Sequence, residues 1–478
     1  MRGRNAVEAR IELGAVADTD SAPWTRHDTV AVAVVALAAA TTRWLVSQAV
    51  PPAPPVFDMA EYWQRAVQIF ETGALYPDVG RMPALPAALA AAFALAGEPS
   101  IAAARWLAIV AGTVSAGLTF VVARRIGGRR PAYGAAAIVA AYPSFLLHTV
   151  LPTTETLVTV PMLAALLAVT AGSPAAWLAA GALAGAATLV RPAAIAMLPA
   201  VLMAAAWRRQ DPSRQAPGER PARAGLLTAL GFAVVMLPWW LHGWRLHERF
   251  VPLDTTSGLN LLIGNGPHAS GRYRYSAVNR QQLELLEGVD PTTPEGSARA
   301  MTVAAAHVRT YPAETLRLIP AKLGFLLALE GNELAYLYSI GRFGDHNAGT
   351  VRLWGLAVMG AFPVVLAAGL GGLAWRTGPR ATAVRRAAVV YLAAAVALSA
   401  ASFGEPRFHL PFVPVLAVLA AGLGAGGAVQ RWRLAAAVVG LLLLLPVWAH
   451  QLQTYLGVLA ALAAPGGWAR ELPFDDLL

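Results

Sequence analysis

Apolar residues run along this chain in blocks of about twenty, separated by polar segments. A helix needs roughly 20 apolar residues to cross the hydrocarbon core of a bilayer, and blocks long enough occur at about 30–49, 101–123, 132–150, 155–172, 224–243, 351–375, 385–403, 408–428 and 434–457. The stretch 175–207 is too long for one span and is interrupted by Arg191-Pro192. Proline removes a helix donor and an arginine is costly at mid-membrane, so two short spans are predicted, with Arg191 at the surface between them. The run 83–96 is too short to cross and is predicted to lie along the interface. The pattern predicts an all-α polytopic membrane protein of about eleven transmembrane helices.

Two polar intervals carry structure of their own. In 50–100, a helix is predicted from Asp58 to about Thr72, with Asp58, Glu61 and Arg65 on one face. In 244–350, Leu259 to Pro267 reads as a strand or extended piece closing in a turn. Thr292-Thr293-Pro294-Glu295 starts a helix to about Thr310 with capping-box spacing. Residues 313–340 are apolar but broken by Lys322, Glu330, Asn332 and Glu333, which predicts a partly immersed amphipathic segment and not a span.

Charge then orients the chain. It is 57% hydrophobic and 13% charged, and its net charge of +10 comes from arginines clustered in short loops. That is the positive-inside pattern and not a nucleic-acid stripe. A tail 1–29 on the cytoplasmic side puts Arg124-Arg125 and Arg129-Arg130, the loops 207–223 and 376–386, and Arg431-Trp432-Arg433 on that side as well. One span more or fewer would send a basic loop outside. The same topology places the loops 50–100 and 244–350 outside, joined by a transmembrane module 30–243 and helices 351–457, with an outer tail 458–478 bearing Glu471, Asp475 and Asp476. The first segment is polar and the apolar run after it is span-length, so no cleavable signal is expected. Cysteine is absent, which excludes disulfides and thiolate chemistry. The nine histidines lack metal-ligand spacing, and no P-loop, Rossmann or nucleophile-elbow motif occurs. No cofactor is expected and no metal is supported.

The outer face collects Asp58, Glu61, Arg81, His148, Glu155, Arg191, Asn265, Lys322 and Arg407 from segments far apart in sequence. Such convergence is what one interfacial site needs. A carboxylate such as Asp58 at a membrane rim, its pKa raised by desolvation, is suited to deprotonate a hydroxyl. A helix-start acid complementing the dipole is the structural explanation for the same residue. Arg81-Met82-Pro83 places a guanidinium before a short helix, where it can grip a phosphate while a lipid tail stays in the bilayer. Glu155, following Leu151-Pro152-Thr153-Thr154, fits a helix cap as well as a site.

The order Phe57-Asp58-x-x-Glu61-Tyr62, Arg81-x-Pro83, Ala123-Arg124-Arg125-x-Gly127, Thr154-Glu155-Thr156-Leu157, Leu189-Val190-Arg191-Pro192, Gly264-Asn265, Lys322 and Arg407-Phe408-x-Leu410-Pro411 resembles the multi-span GT-C glycosyltransferases. The branch it is most similar to is the protein O-mannosyltransferase and aminoarabinose-transferase type. The resemblance implies inverting transfer of a sugar from a polyprenyl-phosphate donor to an acceptor glycan, lipid or protein outside the inner membrane. It implies Asp58 as the acid that activates the acceptor, with Glu61 a second, more variable acid. Arg81, Lys322 and Arg407 are the candidates for the donor phosphate, and Tyr62, His148, Glu155, Arg191 and Asn265 for other substrate contacts. The large soluble carboxy-terminal domain of some members has no counterpart here. The alternative is a transporter or flippase of a lipid-linked or small anionic substrate. Internal repeats and mid-membrane charges would mark it, and neither is evident.

Overall fold

The computed structural model describes residues 23–207, 221–274, 284–331, 334, 341, 347–424 and 428–462. The tail 1–22, the loop 208–220, Asn332, Glu333 and the acidic tail with Glu471, Asp475 and Asp476 lie outside them. Among the described residues the regular structure is helical, apart from the isolated bridges Arg272–Gly404 and Trp375–Val429.

Among the described residues seven helices are long and apolar enough to cross a membrane: α1 (Arg26–Ala49), α4 (Ile101–Gly127), α7 (Thr154–Ala171), α10 (Pro221–His247), α14 (Ala348–Gly372), α15 (Pro379–Ala401) and α17 (Arg431–Leu462). This is the make-up of a multi-pass membrane protein. Shorter helices lie between them: α3 (Ala84–Ala96), α5 (Arg129–Ala141), α6 (Pro143–Leu147), α8 (Pro174–Val190), α9 (Met197–Trp207) and α16 (Phe412–Ala420). Among the described residues seven helices are of full length, so the expected count of eleven is not confirmed. The run 132–150 breaks at Tyr142-Pro143, and 408–428 opens with a 3-10 turn, Pro406–His409.

The break at Pro143 leaves carbonyls of α5 without helical partners, because proline has no N–H to give. Arg43 of α1 fills that gap, donating to Val139 O at 3.0 Å and Ala140 O at 3.1 Å from a fully buried position. An arginine inside a span costs a few kcal/mol unless partnered, and here kinked backbone supplies the partners. Small residues bring other helices together. A methyl group on Gly181 would lie 1.9 Å from Thr228 O, and one on Gly231 2.1 Å from Leu178 O, so α8 and α10 cross backbone to backbone. By contrast α17 turns Leu442, Leu443 and Leu445 outward, where hydrocarbon is their natural neighbour.

The outer intervals fold back on the bundle as α2 (Asp58–Thr72), α11 (Thr256–Asn265), α12 (Pro294–Thr310) and α13 (Pro312–Leu326). The expected strand at 259–267 is α11 instead. Thr256 Oγ1 donates to Asp254 at its start, and Gly258 and Gly264 press against Ser297 and Ser402, so Gly264-Asn265-Gly266 ends a helix and does not turn a hairpin. α12 starts where predicted, but its cap is Thr293, whose hydroxyl accepts from Gly296 N–H, and a glycine there has no side chain to return the bond, so the expected capping box does not close. The Trp448 indole donates to Leu327 O and the Leu329 N–H donates to Gln451, which fastens the end of α13 to α17.

Candidate active site

Asp58 is the first residue of α2, and the chain reaches it through Phe57 at φ 50°, a backbone region that bulky residues seldom adopt. α2 ends at Gly73, whose φ of 69° suits the left-handed helix stop. Between these ends α2 packs Ala66 and Trp63 onto Leu89 and Phe93 of α3, with the Trp63 and Phe93 rings 4.8 Å apart. That packing fixes the outward face carrying Asp58, Glu61 and Arg65.

Two guanidiniums from distant segments meet the Asp58 carboxylate. Arg407, on the Pro406–His409 turn, donates to Oδ2 at 2.9 Å. Arg81, in the loop before α3, donates to Oδ1 at 3.3 Å and to Glu61 at 2.9 Å. Glu61 also takes Arg65 at 3.3 Å, and Arg65 reaches Asp78 at 3.1 Å. The Arg81 guanidinium lies 5.7 Å over the Tyr62 ring. The expectation that burial raises the Asp58 carboxyl is overturned. Desolvation pushes it up, but Arg407 and Arg81 outweigh that and hold it down to about 2. Burial raises the Tyr62 phenol to about 12.

Beside this cluster, Glu155 at the start of α7 accepts from Arg191 at 2.7 Å. The Arg191 side chain is 12% exposed and lies 5.2 Å over the Phe408 ring. Proline after it ends α8, and the freed side chain turns inward to the buried carboxylate of Glu155. His148 is buried, with Nδ1 2.7 Å from the Thr153 hydroxyl. It lines an open cleft that also touches Ser144, Glu330, Glu405 and Arg407.

Lys322 and Asn265 form a second group. The Lys322 ammonium is fully buried on α13 and donates to Asn265 Oδ1 at 2.7 Å and to Ala400 O at 3.1 Å, while Asn265 Nδ2 donates to Ala401 O. Burial lowers the Lys322 ammonium to about 8. The structure thus brings Lys322 to Asn265 and not into hydrogen-bond contact with the Asp58 cluster. The two groups are linked through Gly404, where a side chain would strike Lys322 O, and which leads directly to the turn bearing Arg407.

Sequence reasoning missed Asp254, which lies near Arg81 and whose carboxyl burial raises to about 6, and His409, which takes Glu330 from across the bundle at 2.6 Å. Glu330 showed in the sequence as a charge interrupting an apolar run, whereas His409 carried no signal. Among the described residues no three His, Asp or Glu side chains come together as a metal site.

The fold and site define a multi-pass membrane protein with a cluster of carboxylates and guanidiniums gathered where its spans end. The family model for dolichyl-phosphate-mannose-protein mannosyltransferases matches residues 80–241, about a third of the chain, which bears out the resemblance carried by the motifs. The match contains Arg81, His148, Glu155 and Arg191, while Asp58, Glu61, Tyr62, Asn265, Lys322 and Arg407 lie outside it. No curated protein matches the sequence. Among solved structures, the archaeal oligosaccharyltransferase AglB from Archaeoglobus fulgidus, in complex with an inhibitory peptide and a dolichol-phosphate, is 16% identical with a TM-score of 0.49 over 92% of this chain. This chain spans 56% of that protein's length. ArnT from Cupriavidus metallidurans, bound to undecaprenyl phosphate, is 15% identical with a TM-score of 0.39, covering 83% of this chain and 77% of its own. Likenesses this distant carry no argument about chemistry.

Proposed function

We propose that the protein is a GT-C type membrane glycosyltransferase, moving a sugar from a polyprenyl-phosphate donor to an acceptor hydroxyl of a glycan, lipid or protein on the extracytoplasmic side. The observation that carries this reading is the Asp58 carboxylate held between Arg81 and Arg407. The family match over residues 80–241 supports a lipid-phosphate donor. Eleven crossings of the inner membrane, with the amino terminus inside, fit the distribution of basic loops.

The chemistry needs few parts. The acceptor oxygen attacks the sugar C1 from the face opposite the phosphate, the bond from C1 to the phosphate oxygen breaks, and its electron pair leaves on the phosphate. The acceptor proton passes to Asp58. A lipid phosphate is already a good leaving group, so cations that meet its charge and a base for the nucleophile suffice. The donor phosphate competes with Asp58 for Arg81 and Arg407. Once it holds them, the field keeping the carboxyl down weakens and Asp58 becomes the stronger base. Glu61 keeps Arg81 in place, Tyr62 and His148 face the substrates, and the Glu155–Arg191 pair backs the turn through Phe408. Lys322 and Asn265 support the strand of chain at Gly404 from behind. No cofactor is required by this scheme.

The test is reconstitution in liposomes with a panel of labelled polyprenyl-phosphate sugars, comparing wild type with Asp58→Asn. Donor consumption by wild type alone supports the transferase. Labelled lipid that moves between leaflets equally in both proteins, with no donor consumed, replaces it with a flippase.

A further inference from the structure

The turn that carries Arg407 also carries His409, two residues on, and the two side chains go opposite ways. Arg407 faces the Asp58 cluster and the cleft, whereas His409 is fully buried. Its Nδ1 lies 2.6 Å from Leu326 O and therefore donates, and its Nε2 lies 2.6 Å from Glu330 Oε1. The Phe362 ring stacks on the imidazole at 3.4 Å and 10°. Glu330 is itself pinned, accepting from the Tyr142 hydroxyl at Oε1 and from the Ser144 hydroxyl at Oε2. These two donors stand on either side of Pro143, where the chain kinks.

A network this buried is costly when half satisfied and stiff when complete. It ties the carboxyl end of α13 and the kink at Pro143 to a four-residue turn that has little regular hydrogen bonding of its own. Nothing in the transfer chemistry uses these groups directly. We infer that Glu330 and His409 are positioning residues: by clamping the turn from its buried side they fix where Arg407 stands, and so set the grip on the donor's lipid phosphate. The inference rests on the proposed function, since it takes Arg407 to bind that phosphate.

The experiment is binding of undecaprenyl phosphate to the full-length protein in nanodiscs. His409→Phe keeps the stack on Phe362 and removes both hydrogen bonds. Glu330→Gln keeps an amide able to donate to Nε2, so it serves as the conservative rescue. A loss of roughly 10-fold is expected for H409F, the size of coupling between neighbours that share a network, with E330Q within about 3-fold of wild type. In an R407Q background H409F should cost nothing further. No loss in H409F, or an equal loss with and without Arg407, overturns the inference, the second outcome marking a merely structural role. Should H409F fail to fold because the Glu330 carboxylate is left buried without its partner, the H409F/E330Q pair, which buries no charge, gives the same comparison. Absence of binding by wild type is a different outcome: it overturns the glycosyltransferase reading and the inference with it.

Discussion

Two aspartates, Asp28 near the start of α1 and Asp58 beyond its end, each hold two arginines. Asp28, fully buried, takes Arg124 at 2.6 Å and Arg129 at 2.9 Å, and closes a capping box with Thr25 through its backbone N–H and its hydroxyl. Asp58 has the same partners in kind, but its side chain is 35% exposed and one of its arginines opens on a cleft. Identical chemistry therefore serves opposite ends. At Asp28 donors from four groups fill the carboxylate and anchor α1 to Arg124 at the end of α4 and Arg129 at the start of α5. At Asp58 the arginines sit where an incoming anion can take them over.

Substitution separates the two clusters most sharply. Asp58→Asn should lower sugar transfer by at least about 100-fold, the usual worth of a positioned base, and lower the unfolding midpoint less than a change at the fully buried Asp28 does. Asp28→Asn should do the reverse, leaving turnover per folded molecule alone while lowering the unfolding midpoint by several degrees, because it strands the buried Arg124 guanidinium. Equal kinetic damage from both would end the distinction. Next in size, R81Q and R407Q should each raise the donor KM by roughly 10-fold, and the double variant should fall short of the product because both grip one phosphate. Independent, multiplying effects would mean that the two arginines meet different groups.

Titration gives a finer comparison. The Asp58 carboxyl is held to about 2, against an ordinary value of about 3.9. Its ion pairs therefore contribute fully above about pH 4 and are lost as pH falls towards 2. R407Q removes the strongest restraint, so the acid limb of kcat/KM should move up by about one pH unit. Asp254 shifts the other way, to about 6, because burial disfavours its charge. Its stabilising, protonated form is complete below about pH 4 and is lost as pH rises through 6. Amide exchange in α11 should quicken over that window in wild type and stay flat in D254N, the smallest effect of the set.

Much of the site was legible as positions but not as pairings. Asp58, Glu61 and Arg65 fall on one face because helical spacing fixes that locally, and Thr293 caps α12 for the same reason. The pairing of Arg191 with Glu155 was not legible, because the two lie 36 residues apart and only folding brings them together. The direction of the Asp58 shift failed likewise: desolvation was foreseeable at a membrane rim, while Arg407, 349 residues distant, was not foreseeable as its partner. The helix at 256–265 was missed because glycines and asparagine signal a turn locally, whereas Ser297 and Ser402 reward close helical packing there.

By itself the sequence determined the membrane class, the approximate places of the spans, the start of α2 and the set of charges from which a site is drawn. These follow from run length and helical period, which are properties of neighbours along the chain. Tertiary structure alone decided that Asp58 meets Arg81 and Arg407, that Lys322 turns to Asn265, and that Glu330 reaches His409. Those contacts join residues tens to hundreds of positions apart. Coulomb and hydrogen-bond energies depend on distance in space, which no local pattern along the chain records.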